Sequence, residues 1–343
     1  MTYKSLFSYL TLVLVLPSCT GNSPNIVAVC EGNNVGNYVI KWETPSRIKG
    51  RVKVYASTNP DRIPPRNPVA TADISDQRLT IVINNPTRRY YYLMVFDNRY
   101  RTKIAERKID VSGIQNLYDI GGYKLNDRKK SVKWGKLYRA GEIKNLNRYD
   151  LNKLKNTGIK TIINLDAASK QKDDFLKEAG FNVISIPINL IGKQIYNDLQ
   201  KKEIANNDSV RNSVDYINRK FITKYKSEYK RIFEVLLDKA NYPVMFHCSS
   251  DKRCAAVVSL LVLTSLGVNA ELIIEDYRLN DSDLDTPPIF TSRFPTNSKR
   301  AINTYEELLN NFKKQIEKEH RSINAYLKKE IGLTETDMEA LKG

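Results

Sequence analysis

The sequence predicts an all-β sandwich followed by an α/β domain whose central mixed or parallel sheet is flanked by helices. Two patterns carry that expectation. From residue 25 to 112, short runs such as NYVIKWET, GRVKVYAST, RLTIVINN and RRYYYLMVFDN have strand character, and turn clusters such as STNPDRIPPRNP separate them with no helix-period stretch between. From residue 114 to 343, the β-branched runs KTIINLD, NVISIPI and YPVMFHC alternate with segments of helical spacing, as in a sheet covered by helices. A chain of 343 residues is long enough for two domains with separate cores.

The first segment, MTYKSLFSYLTLVLVLPSC, places Lys4 before an apolar run from Leu6 to Leu16 and ends on a small residue followed by Cys19, the order of an export signal. The run is too short to span a bilayer, which needs roughly 20 apolar residues. Its end resembles the bacterial lipobox, apart from Pro17. That resemblance implies a lipoprotein signal over residues 1–19 and lipid on Cys19, hence an exported envelope protein anchored to a membrane at its periplasmic or outer surface. A plain cleaved signal is the alternative.

Cys30, Cys248 and Cys254 remain, an odd number that gives no disulfide framework. With only His247 and His320 besides, there is no paired Cys/His spacing for zinc. The net charge of +17 suits anionic partners, yet the cations are interleaved with acids, as in EELLNNFKKQIEKEH, which reads as solvated helix faces. No nucleic-acid module is present, and none is expected as a partner.

In the β segment, Trp42 in an early strand and Tyr91 in the penultimate one resemble the landmarks of a fibronectin type III domain. Both are expected in the core. The resemblance implies a domain that spaces or positions its neighbour. In the α/β segment, CAAVVSLLVLTSLGV reads as a buried helix opened by the loop FHCSSDKRC. The polar helical stretch from Leu190 to Tyr229 is either a lid or a surface insertion.

Several stretches of residues 114–343 occur in the order of one family. NLYDIGGY (116–123), KLYRAGEI (136–143), GIKTIINLD (158–166), the His247-Cys248 pair, IIEDYRLND and the closing YLKKEIGLTETDMEALK are similar to stretches of the bacterial tyrosine phosphatase family, whose loop reads HC-x-x-GKDR. The resemblance implies a cysteine-phosphatase fold and hydrolysis of phosphate monoesters with no metal or organic cofactor, because that chemistry needs only Cys, Arg and an acid. A Cys between a buried strand and a helix N-terminus is favoured as thiolate, the loop N–H groups cradle phosphate, an Arg clamps its oxygens and an Asp protonates the leaving group. It implies Cys248 as nucleophile and His247, Ser249, Ser250, Lys252 and Asp119 as substrate contacts. The substrate would be a phosphorylated protein or a phosphoinositide-like ester.

The loop departs from that pattern. Aligned without a gap, Asp251 stands at the Gly position, Arg253 at the acid position and Cys254 at the Arg position. A one-residue deletion would restore Arg253 as clamp and Asp251 as acid, but would turn the helix about 100° relative to the Cys. The gapless alignment keeps the apolar helix face on the core and is preferred. Tyr118 and Asp166 also stand where the family carries Arg. Losing one transition-state donor typically costs about 10²- to 10³-fold in rate. Phosphatase activity is therefore expected to be weak or lost, with a non-catalytic binding module or an envelope scaffold as the alternative. Cys248 and Cys254 flank one loop, but disulfide geometry requires Cα atoms within about 7 Å, and free thiols are the expectation.

Overall fold

The computed structural model describes residues 26–32, 36–126, 130–166, 170–188, 218–249, 254–274 and 305–342. Seven strands come first: β1 (Val27–Gly32), β2 (Asn37–Glu43), β3 (Arg51–Ser57), β4 (Ala70–Asp73), β5 (Arg78–Val82), β6 (Tyr91–Phe96) and β7 (Tyr100–Ala105). They form two antiparallel sheets, ordered β1-β2-β5 and β4-β3-β6-β7. Alternation sets their faces: β2 turns Tyr38, Ile40 and Trp42 inward, and the residues between them point away. Trp42 lies in the core, its Nε1–H donating to the Ile74 carbonyl at 2.9 Å.

β6 is buried on both faces, which a sandwich strand with one solvated face would not be. Tyr92, Met94 and Phe96 fill the sandwich core. Tyr91 and Val95 face the other way and pack with Trp134 of the next domain. Tyr91 is thus a core residue of the junction between domains and not of the sandwich itself.

The sheet of the second domain is mixed. Its order is β11 (Asn182–Ser185), β10 (Thr161–Asn164), β12 (Val244–His247), β9 (Leu137–Ala140) and β8 (Tyr118–Asp119), parallel except for the β8–β9 pair. Successive residues of the central strands enter opposite cores. Ile162, Met245, Tyr138 and Ala140 face a cluster holding Leu154 of α1 (Arg148–Lys155) and Leu176 of α2 (Lys170–Glu178). Ile163, Val244, Phe246 and Leu137 face the larger cluster. That cluster is built by α3 (Lys226–Leu237), α4 (Cys254–Ser265), α5 (Tyr305–His320) and α6 (Ile323–Tyr326), with Met338 of α7 (Glu335–Lys342) at its edge.

α4 is buried nearly all round, from Cys254 through Leu263, as the uniformly apolar CAAVVSLLVL requires. Its serine hydroxyls donate back to main-chain carbonyls, Ser259 to Ala255 at 2.8 Å and Ser265 to Val262 at 2.7 Å, so no polar atom of these side chains is stranded. Of the stretch read as lid or insertion, residues 190–217 lie outside the described residues. Its end is neither: Phe221, Ile222 and Tyr225 are buried in the large core. Among the described residues no helix is long and apolar enough to cross a membrane.

Candidate functional site

β12 sits between β10 and β9, and its two faces pack into the two clusters, Val244 and Phe246 into one and Met245 into the other, so VMFH is fully buried. It delivers His247 and Cys248 to the carboxyl end of the parallel strands, the end at which open α/β sheets bind ligands. Cys248 donates its N–H to the Ala140 carbonyl at 3.3 Å, which extends the β12–β9 ladder by one rung. α4 begins at Cys254. Ser250, Asp251, Lys252 and Arg253, four residues singled out from the sequence, lie outside the described residues.

Cys248 and Cys254 form a disulfide, with Cα atoms 6.4 Å apart and both residues buried. The separation lies within the range a disulfide spans. This corrects the expectation of free thiols: a strand end and a helix start that the sheet holds side by side bring the two residues within reach. Cys30 stays free and buried in the sandwich, where desolvation, followed by the Glu106 carboxylate, pushes its thiol far above the ordinary range. A Cys248 sulfur bonded to Cys254 has no thiolate to offer a phosphorus centre.

Ser249 faces a carboxylate. Its N–H donates to Asp166 Oδ2 at 2.8 Å and its hydroxyl to Asp166 Oδ1 at 2.8 Å. Asp166 is held there by the turn after β10: its N–H donates to Asn164 Oδ1 at 2.9 Å, while Asn164 Nδ2–H donates to the buried Asp173 at 2.8 Å. The first backbone donor of the loop, a group that would point at a phosphate oxygen, thus already has an anionic acceptor from the chain itself. The sequence marks Asp166 as a lost cation. It does not reveal that the replacement carboxylate reaches across to Ser249.

His247 is buried beside Cys248, and neither ring nitrogen has a hydrogen-bond partner among the described residues. Burial pushes the imidazole down to about 4, against the opposing pull of Asp166 and Asp173. It is neutral at pH 7 and offers the loop no positive charge.

Asp119, read from the sequence as a substrate contact, lies at the domain junction. It is fully buried, with Oδ2 accepting from Arg89 Nη2 at 2.9 Å and from the Gly135 N–H at 2.9 Å, and Oδ1 accepting from the Gly121 N–H at 2.8 Å. Those donors consume the carboxylate. Gly135 has φ +71°, and a Cβ there would meet the Tyr91 hydroxyl at 2.5 Å. Arg89 comes from the sandwich and also donates to the Glu106 carbonyl at 2.7 Å and to the Tyr91 hydroxyl at 3.1 Å. The Tyr91 hydroxyl lies 3.2 Å from that of Tyr138, which donates to the Thr157 carbonyl at 3.1 Å. A continuous polar chain therefore crosses the domain junction. Local sequence gives no sign of Arg89: it follows Arg88 in a turn, and only the fold separates the buried guanidinium from the exposed one.

Among the described residues no group of His, Cys, Asp or Glu could hold a metal ion. Solved structures similar to this chain include the Siw14 catalytic core, at 14% identity over 46% of this chain and 73% of that one with a TM-score of 0.29. The core catalytic domain of the PP-IP phosphatase SIW14 from S. cerevisiae in complex with citrate is similar at 14% identity over 60% and 93%, again with a TM-score of 0.29. Pectate lyase Pel3 from Pectobacterium carotovorum shares 22% identity over 23% of this chain and 25% of that one, with a TM-score of 0.19. No curated protein matches the chain. The profile of the tyrosine phosphatase family matches residues 109–343, which hold the mixed sheet, the Cys248 loop and every helix described above. The chain therefore belongs to the tyrosine phosphatase family.

Proposed function

We propose that this member of the family does not complete a phosphatase cycle and acts as a non-catalytic module in the cell envelope. One observation carries the reading: the Asp166 carboxylate accepts both the N–H and the hydroxyl of Ser249. A phosphatase cycle needs an anion-binding loop, a thiolate and a leaving-group acid. Here a negative charge stands at the loop's first donor and opposes a phosphate dianion. The disulfide removes the thiolate. In the gapless alignment Arg253 and Cys254 replace the acid and the clamp.

The N-terminal pattern of Lys4, the Leu6–Leu16 run and Cys19 supports export and a lipid anchor. Changing Cys19→Ser is expected to release the protein from membranes, and retention of the variant would argue against the anchor. The three-plus-four strand order supports a sandwich of the fibronectin type III kind. Its buried contacts to the α/β domain favour a rigid spacer over a tethered one.

The test rebuilds the loop in the full chain with Asp166→Arg, Asp251→Gly, Arg253→Asp and Cys254→Arg. The rebuilt loop is expected to hydrolyse an aryl phosphate at least about 10²-fold faster than the natural chain, since each restored transition-state donor is worth about that much. Equal turnover by the natural chain, lost in Cys248→Ser, would refute the proposal.

A further inference from the structure

The end of the sandwich away from the α/β domain is tied together by hydrogen bonds. Trp42, which pairs with Ala28 of β1, donates from Nε1 to the Ile74 carbonyl, and the Ile74 N–H donates to the Gly50 carbonyl at 2.9 Å. The Asp97 N–H donates to the Arg51 carbonyl at 2.9 Å. The start of β1 at Val27, the loop before β3 and the turn between β6 and β7 are therefore neighbours. At the opposite end, the Gly32 N–H that closes β1 donates to Glu106 Oε1 at 3.2 Å, and Arg89 joins the Glu106 carbonyl to Asp119 of the α/β domain. β1 has six residues, which at about 3.3 Å each put roughly 20 Å between these ends.

Two exposed basic loops meet at the far end. Ile48 is buried in the sandwich core and pins the first, so its neighbours Arg47 and Lys49 are turned out to solvent. In the second, Asp97 and Asn98 have φ of +49° and +53°, a tight hairpin turn that brings Arg99 and Arg101 to the surface. The Arg99 guanidinium lies 5.2 Å from the centre of the Tyr100 ring, and Arg101 points outward between the half-buried Tyr100 and Thr102. Among the described residues none of these four cations is in an ion pair. Glu43 and Asp97 are the acids beside them, while Asp73 lies on the β4 side, 3.9 Å from Arg51.

We propose that this end of the sandwich docks on anionic phospholipid headgroups through Arg47, Lys49, Arg99 and Arg101, an inference that rests on the lipid anchor proposed above. Chain length and charge identify the occupant. Cys19 precedes Val27 by eight positions, and eight residues reach at most about 29 Å when fully extended. A lipid on Cys19 therefore holds this end of the sandwich at the bilayer surface, with the α/β domain on the far side. Guanidinium and ammonium groups match the lipid phosphates, and their attraction acts within a Debye length of the surface, about 10 Å at 0.1 M salt.

Co-sedimentation with vesicles at low ionic strength tests the contact, using residues 20–343, which carry every described residue and no lipid. Vesicles of phosphatidylcholine and phosphatidylglycerol in equal parts are expected to bind the chain, and vesicles of phosphatidylcholine alone are not. Arg47→Glu with Lys49→Glu, and separately Arg99→Glu with Arg101→Glu, are each expected to weaken binding by about tenfold or more. Lys144→Glu with Lys155→Glu makes the same change of charge at exposed positions of the α/β domain and is expected to leave binding unchanged. No preference for the anionic vesicles, an equal loss in the Lys144 and Lys155 variant, or binding unchanged in both sandwich variants would overturn the proposal. High salt releases an electrostatic contact and not an acyl chain, so salt-washed membranes carrying the natural chain or Cys19→Ser report on the anchor alone.

Discussion

Asp166 and Ser249 join the ends of two neighbouring parallel strands. The carboxylate after β10 receives both the backbone N–H and the hydroxyl of the residue after Cys248, each at 2.8 Å. The contact places a carboxylate on the first backbone donor after Cys248, where it opposes an incoming anion. Asp166→Asn keeps the size and removes the charge. It is expected to strengthen binding of inorganic phosphate to the reduced chain by about tenfold, or 1.4 kcal/mol. Titration calorimetry on the two proteins checks this, and an unchanged affinity would mean that the carboxylate does not guard the loop.

The Cys248–Cys254 disulfide predicts a specific peptide pattern. Digestion without reductant should release the strand and helix fragments around residues 248 and 254 joined, with Cys30 as the thiol that alkylates only after unfolding. Cys254→Ser should lower stability by about 2 kcal/mol, the entropic effect of opening so short a loop. Denaturant unfolding with and without reductant measures it.

Arg89 and Asp119 form an ion pair between the domains whose side chains are 6% and 0% exposed. Removing one partner strands the other charge in a dry interface, so Arg89→Ala should cost about 3–5 kcal/mol. Pairing Arg89→Met with Asp119→Asn should recover most of the loss, because no buried charge is then left alone. If Arg89→Ala unfolded as the natural chain does, the junction would contribute little.

His247 predicts a pH dependence of known sign. Its folded-state pKa is pushed down to about 4 by burial, below the ordinary imidazole value of 6.5. The unfolded chain therefore binds a proton that the folded chain excludes, and the stability this contributes is complete above about pH 6.5 and is lost as the pH falls toward 4. The loss is on the order of 3 kcal/mol across that window. Thermal melts between pH 7 and 4 should fall less steeply in His247→Gln.

The fold was legible wherever burial imposes a period. Alternation in NYVIKWET and the all-apolar CAAVVSLLVL each follow from which faces the residues must hide. What could not be read depends on which elements become neighbours. Tyr91 alternates like any core strand residue, and only the docking of Trp134 turns it toward the junction. The disulfide depends on a Cα separation of 6.4 Å, set by the packing of β12 against α4. The reach of Asp166 to Ser249 depends on β10 lying beside β12. The Asp119 pairing is not legible either, because its partner Arg89 lies 30 residues earlier in another domain.

The most direct measurement is hydrolysis of an aryl phosphate by the natural chain, before and after reduction of the disulfide, beside Cys248→Ser. On the proposed reading, in which the gapless alignment puts Arg253 and Cys254 at the acid and clamp positions and Asp166 holds the first donor, there should be no turnover above Cys248→Ser in either state. Turnover that appears on reduction and vanishes in Cys248→Ser would contradict this, and would identify the disulfide as the only barrier to catalysis.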